Sequence, residues 1–324
     1  MTLAIYELDH LTISSFTAIF QVQISYCHIS YVLYVRILIP PFWISTMGFS
    51  TTSLDQPISR KYYLEAVDKY QRLLESEDQR TFGRACRERI RRGHKCLTSL
   101  EECDIYDCFY GGYFFETLLK VYYRCDHPHV PMLKHEFFNN YQVIDWGCGQ
   151  MNGSLSLLEF IESQGLSTYP QKIIGIDASP ISSGRGQGRI NQFSEERILG
   201  INTKIVVQDL NTISNNFIQE ISECGLNTLH LMYNILDVDN FEIEGLANKI
   251  RTYFRGNQVF ICLSPLKFQG INRMTRFVNQ MNAIKENVVL PTLCSGKSMV
   301  YLYSKNQWGM EHCNVKVSKF YLKR

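Results

Sequence analysis

The stretch YQVIDWGCGQMNGSL, residues 141–155, decides the fold. Its first six residues favour a buried strand, with Asp145 near the end. Gly147 and Gly149 follow, and then the pattern turns helical. An acid and a glycine-rich turn at the end of a buried strand let a ligand lie against bare backbone, because glycine has no Cβ to obstruct it.

Working outward, short apolar runs alternate with amphipathic stretches. KIIGID, TKIVVQDL, TLHLMYNIL and NQVFICLSP read as further strands, and residues 154–163 and 242–253 as helices. An irregular helix is expected around SSGRGQGRI, where Gly184, Gly186 and Gly188 lower helix propensity. Strand alternating with helix at this spacing predicts a doubly wound α/β sheet, mainly parallel, with helices on both faces. ENVVLPTL and SMVYLYSK are separated only by CSGK, too little for a crossover helix, so these two are expected to pair antiparallel.

Ahead of this region, residues 60–94 carry apolar positions at helical intervals. A second helix is expected over residues 113–123, after a break at Gly111-Gly112 and before the prolines of CDHPHVP. The expected organisation is a helical cap at 47–138, a ligand-binding α/β domain at 139–306 and a C-terminal tail at 307–324. Residues 11–35 contain no Asp, Glu, Lys or Arg, but Gln21, Gln23, Ser25, His28 and Ser30 interrupt their apolar character. Residues 1–46 are read as an upstream extension or leader, with the functional chain starting near Met47. An edge hairpin is the alternative, and a membrane segment ranks third.

The 324 residues are 45% hydrophobic and carry a formal net charge of +2, so nothing global points to nucleic acid or to an anionic membrane. Eleven cysteines are scattered without a CxxC pair, as expected of reduced thiols in a cytoplasmic protein. CDHPHVPMLKHE gathers Asp126, His127, His129, His135 and Glu136, but its prolines do not fix ligand geometry and no metal is expected there. RTFGRACRERIRRGHK presents Arg84, Arg87, Arg91 and Arg92 as a candidate phosphate-binding face, against the commoner reading of a solvated helix face.

The chain over about residues 140–304 resembles the class I S-adenosylmethionine-dependent methyltransferase family. The resemblance rests on VIDWGCGQ, where the acid precedes the glycine turn. A nicotinamide-binding loop would instead read GxGxxG, and here Asn152 takes the third glycine's place with Gly153 beyond it. The resemblance implies a Rossmann-like, seven-stranded sheet finished by an antiparallel strand, and S-adenosylmethionine as cofactor. It implies that Asp145 reaches the amino end of the methionine moiety, that Gly147, Cys148 and Gly149 lie against the cofactor, and that Asp177 receives the ribose hydroxyls. Asp209 would meet the adenine amino group, and Asn234 would stand beside the transferring methyl. Met151 departs from the family pattern, which often has another glycine there.

Two of these acids carry a second reading from their local sequence. Asp177 could cap the helix that follows it, and Asp209 could be a turn acid ahead of Asn211. No (D/N)PPY element or Pro-Cys nucleophile marks a nucleobase methylase. The expected function is methyl transfer by in-line displacement to an unknown acceptor, a small molecule or a protein being favoured, without catalytic residues that the sequence identifies. A non-catalytic, methyltransferase-like binding or scaffolding module is the alternative.

Overall fold

The computed structural model describes residues 64–65, 67–68, 70–71, 79–91, 95–125, 136–222, 226–238, 241–265, 268–281, 292–302 and 307–322. The chain divides into two units, Met1–Asp55 and Gln56–Arg324, and every described residue belongs to the second. The reading of residues 1–46 therefore lies outside the described residues, as does most of the histidine-containing loop at 125–136. Among the described residues no helix is long and apolar enough to cross a membrane.

The strands are β1 (Tyr141–Trp146), β2 (Lys172–Asp177), β3 (Asn202–Val207), β4 (Asn227–Tyr233), β5 (Gln258–Pro265), β6 (Thr292–Leu302) and β7 (Gln307–Leu322). They form one sheet in the order β3-β2-β1-β4-β5-β7-β6. The first five are parallel, with Asp145 opposite Gly175 on one side and Leu231 on the other. β7 runs antiparallel to both β5 and β6. Strand order reverses between β1 and its neighbours β2 and β4, which opens a crevice at their carboxyl ends.

The helices are α1 (Gln79–Arg89), α2 (Leu100–Tyr106), α3 (Gly112–Cys125), α4 (Asn152–Ser163), α5 (Pro180–Glu196), α6 (Asn215–Ser222), α7 (Ile243–Tyr253) and α8 (Phe268–Met281). Two apolar layers sandwich the sheet. Val143, Ile173, Leu229 and Ile261 pack under α3, α4 and α5 through Leu118, Tyr122, Phe160 and Phe193. Ile144, Ile174, Met232 and Phe260 pack under α6, α7 and α8 through Ile218, Leu246, Ile250 and Phe277. Strands buried on both faces explain why β1, β2, β4 and β5 read as nearly continuous apolar runs.

Four expectations need correction. Gly111-Gly112 does not break a helix: α2, a π-helical turn over Asp107–Gly111 and α3 are continuous. The widened turn seats the buried Asp107 carboxylate, and a Cβ on Gly111 would lie 2.9 Å from Asp107 Oδ1, so this glycine makes room rather than ending the helix. Second, SSGRGQGRI belongs to a regular 17-residue helix, α5, started by Ser179 as N-cap and Pro180 in the first turn. Third, CSGK is no turn. β6 runs straight through it, while residues 286–291 of ENVVLPTL lie outside the described residues. Fourth, 307–324 is not a tail: β7 occupies Gln307–Leu322, so the sheet continues past 306. The alternation in VKVSKFYL is a period-two strand signal. Of the expected cap, α3 packs directly on the sheet layer through Leu118 and Tyr122.

Candidate functional site

Gly147, Cys148 and Gly149 lie on the turn that follows β1, Asp145 near the end of that strand, Asp177 at the end of β2 and Asn234 directly after β4. The β1 turn folds back over β2: the amides of Gly147 and Cys148 both donate to the Ile176 carbonyl, at 2.8 and 3.0 Å. Gly147 and Gly149 have φ of 65° and 49°, in the left-handed region where glycine carries no Cβ penalty. Met151 is also left-handed, at φ 57°, and is the N-cap of α4. The position where the resembled family often carries glycine thus keeps a glycine-like backbone here despite its side chain.

The two glycines differ in what surrounds them. A Cβ on Gly147 would lie 2.7 Å from Ile235 Cδ1, so the protein itself fills that space. A Cβ on Gly149 would meet only Ser182 Oγ, at 3.9 Å, which leaves the backbone there open to a ligand. The Cys148 thiol is buried, and burial pushes its pKa well up. Its Sγ, with Ile205 Cδ1 and Met151 Cε, fills the space that Gly175 leaves by having no side chain.

Asp145 is 2% exposed, and its Oδ2 accepts from the Ser154 hydroxyl at 2.7 Å and the Ser154 amide at 3.2 Å. The carboxylate satisfies an otherwise orphaned amide in the first turn of α4. Burial pushes its pKa up to about 7, with the Ser154 bonds acting in the opposite direction.

Asp177 performs two local tasks at once. Its Oδ2 accepts the Gly149 amide at 2.9 Å, and its Oδ1 accepts the Ser179 amide at 2.8 Å. Burial raises its pKa, again against those two amides. Asp209 is exposed and accepts the Asn211 amide at 2.9 Å, the turn geometry that its local sequence suggested. Asn234 sits at φ 59°, donates its amide to the Leu263 carbonyl, and buries a side-chain Oδ1 without a hydrogen-bond partner. A buried acceptor of this kind is costly unless something donates to it.

Residues outside the motif complete the surroundings. Tyr122 of α3 and Tyr233 at the end of β4 join their hydroxyls at 2.5 Å, and the Tyr122 hydroxyl lies 3.2 Å from the Gly153 carbonyl. The Tyr233 ring covers Gly153, whose Cβ would come within 2.4 Å of it. Gln150 donates to the Cys103 carbonyl at 3.0 Å, and the Ser179 hydroxyl donates to the Leu97 carbonyl at 2.5 Å, so the segment around α2 is fastened to the glycine turn and to the start of α5. Tyr122 and Gln150 had no signal in the sequence, because their partners lie 31 residues or more away along the chain.

The basic stretch is partly neutralised within the protein. Arg89 forms a two-pronged pair with Glu101, and Lys95 pairs with Glu102 at 2.6 Å. Arg87 lies 5.6 Å from the centre of the Phe109 ring. Arg84 and Arg91 are exposed, and Arg92 is outside the described residues. Among the described residues no group of three or more His, Cys, Asp or Glu is placed to hold a metal ion.

No protein-family model and no curated protein sequence matches the chain. Solved structures that resemble it include a precorrin-6y C5,15-methyltransferase from Geobacter metallireducens, 10% identical over 57% of this chain and 80% of that one, with a TM-score of 0.37. A SAM-dependent O-methyltransferase from Thermotoga maritima is 10% identical over 57% of this chain and 60% of that one, with a TM-score of 0.34. The methyltransferase domain of a bacterial Hen1 protein is 14% identical over 65% of this chain and all of that one, with a TM-score of 0.36. The seven-stranded sheet, finished by two antiparallel strands, and the glycine turn after β1 have the Rossmann-like arrangement that the resemblance to class I S-adenosylmethionine-dependent methyltransferases implies.

Proposed function

We propose that the chain binds S-adenosylmethionine across the carboxyl ends of β1, β2 and β4 and transfers its methyl group to an acceptor. The observation that carries this reading is Asp177, a largely buried carboxylate at the end of β2 that reaches across to the Gly149 amide beside open space. A carboxylate so placed can accept ribose hydroxyls, and a glycine without neighbours allows backbone approach. Asn234 adds a buried, unsatisfied acceptor suited to an ammonium or amide donor. When bound, the cofactor would supply an electrophilic methyl on a sulfonium. The protein's part is then to align the acceptor and exclude water, which the Tyr122–Tyr233 pair and the fastened α2 segment support.

Pairing of Arg89 and Lys95 with glutamates leaves fewer cations for phosphate, which favours a small-molecule or protein acceptor over nucleic acid bound through Arg84, Arg87, Arg91 and Arg92. Two observations favour a second reading, a non-catalytic module: Asp145 is sealed against Ser154, and Ile235 fills the space beside Gly147.

Calorimetric titration of the full chain with S-adenosylmethionine and S-adenosylhomocysteine tests the proposal, with NAD as control. Saturable binding of both sulfur ligands, weakened about tenfold or more in Asp177→Ala as expected for lost charged hydrogen bonds, supports it. Absence of binding to a folded wild type leaves the module reading in its place.

A further inference from the structure

A cavity of about 240 Å³ opens between the helical turn at Tyr70, α1 and the α2–π segment. Three rings form its walls. Tyr70 stands edge-on to Phe109, with centroids 5.3 Å apart and planes at 86°, and is tilted against Phe82 at 5.6 Å. Two thiols, Cys86 and Cys108, also line it, and neither is in a disulfide. At the rim Arg89 and Glu101 neutralise one another through two bonds of 2.8 and 2.9 Å. The remaining carboxylate of the lining, Asp104, is paired with Arg185 at 2.7 Å.

Size and chemistry restrict the occupant. An apolar cavity of about 150 Å³ accepts benzene, so this one has room for a somewhat larger ring system. Polarisable thiols and ring edges favour an aromatic face. With the charged rim groups mutually paired, an ionic ligand would lose hydration without gaining a counter-charge. We propose that this cavity is a binding site for a small, uncharged aromatic molecule of one ring or one fused double ring. The cavity shares α2 with the surroundings of the methyl-donor site through Glu101, Asp104 and Ile105, but none of the residues assigned to the cofactor lines it, so the proposal does not rest on the methyl-donor reading.

5-Fluoroindole is a suitable probe, titrated into the full chain and followed by fluorine NMR. Saturable binding in the micromolar to low millimolar range is expected, weakened about tenfold or more in Cys108→Phe, which fills the cavity. A second measurement avoids dependence on that variant's folding. In the wild type, saturating 5-fluoroindole should slow modification of Cys86 and Cys108 by methyl methanethiosulfonate, read by peptide mass, while the exposed Cys96 outside the cavity reacts at its unliganded rate. No saturable binding, binding that a folded Cys108→Phe leaves unchanged, or equal modification of Cys86 and Cys108 with and without the probe would each overturn the proposal. Loss of S-adenosylmethionine binding elsewhere has no bearing on these readouts.

Discussion

Asp107 and Arg189 form an ion pair at 2.5 Å in which both residues are nearly inaccessible to solvent, and it joins the π-turn between α2 and α3 to the middle of α5. Arg185, one turn earlier on α5, adds contacts to Asp104 at 2.7 Å and Asp107 at 3.4 Å. These pairs lie on the helix that starts at Ser179, two residues beyond Asp177, so they help to hold the α2 segment beside the candidate site.

Breaking this pair from one side should be costly. Asp107→Ala leaves a guanidinium buried without its carboxylate, and unfolding free energy should fall by about 3–5 kcal/mol. Asp107→Leu combined with Arg189→Met replaces the pair with apolar groups of similar bulk and should recover most of that loss. Urea unfolding measures both, and a double variant as unstable as the single one would show that the ion pair itself is indispensable.

The glycines of α5 should behave in opposite ways. A Cβ on Gly186 would lie 2.6 Å from the Gln150 carbonyl carbon, where backbone meets backbone, whereas nothing lies within 4 Å of a Cβ on Gly184 or Gly188. Gly186→Ala should destabilise by about 1–3 kcal/mol through overpacking, while Gly188→Ala should stabilise by about 1 kcal/mol through helix propensity. Thermal unfolding of the two alanine variants checks this, and equal shifts of the same sign would contradict the close approach of α5 to the glycine turn.

Two buried groups should oppose each other in the pH dependence of stability. Burial raises Asp145 from its usual carboxylate range to about 7, so its folded form keeps a proton that the unfolded chain has lost, and stability falls as pH rises from about 4 to about 7. His230 accepts from the Trp146 indole at 3.1 Å on Nδ1 and stacks on Phe260, and burial lowers its pKa to about 3. Its stabilising contribution is complete above its usual value near 6.5 and is lost as pH falls towards about 3. From pH 4 to 6.5 the two slopes, each up to about 1.4 kcal/mol per pH unit, largely cancel. Asp145→Asn should therefore expose acid sensitivity and His230→Phe the reverse slope. Urea midpoints across this range give the test, and parallel profiles for the three proteins would refute the assignment.

Much of the sheet was legible in the sequence because strands covered on both faces must be apolar along their length. KIIGID corresponds to β2 without adjustment, and the Asp145-to-Gly149 turn is where the pattern put it. Local chemistry also carried the second reading of Asp209, a carboxylate bonding the amide two residues ahead, whereas the helix cap expected at Asp177 falls to Ser179, whose amide Asp177 accepts. Other features depended on distant partners. Gly111 and Gly186 look like helix breakers until Asp107 and Gln150 are placed beside them, and packing then overrides propensity. The side-chain surroundings of Gly147 and Gly149 differ only because Ile235 returns from β4 to one of them. Residues 141–155 determined a strand, an acid and a glycine turn. Tertiary structure alone decided that Asp145 would be sealed and Asp177 would face the turn, because burial and hydrogen-bond partners come from elements far apart along the chain.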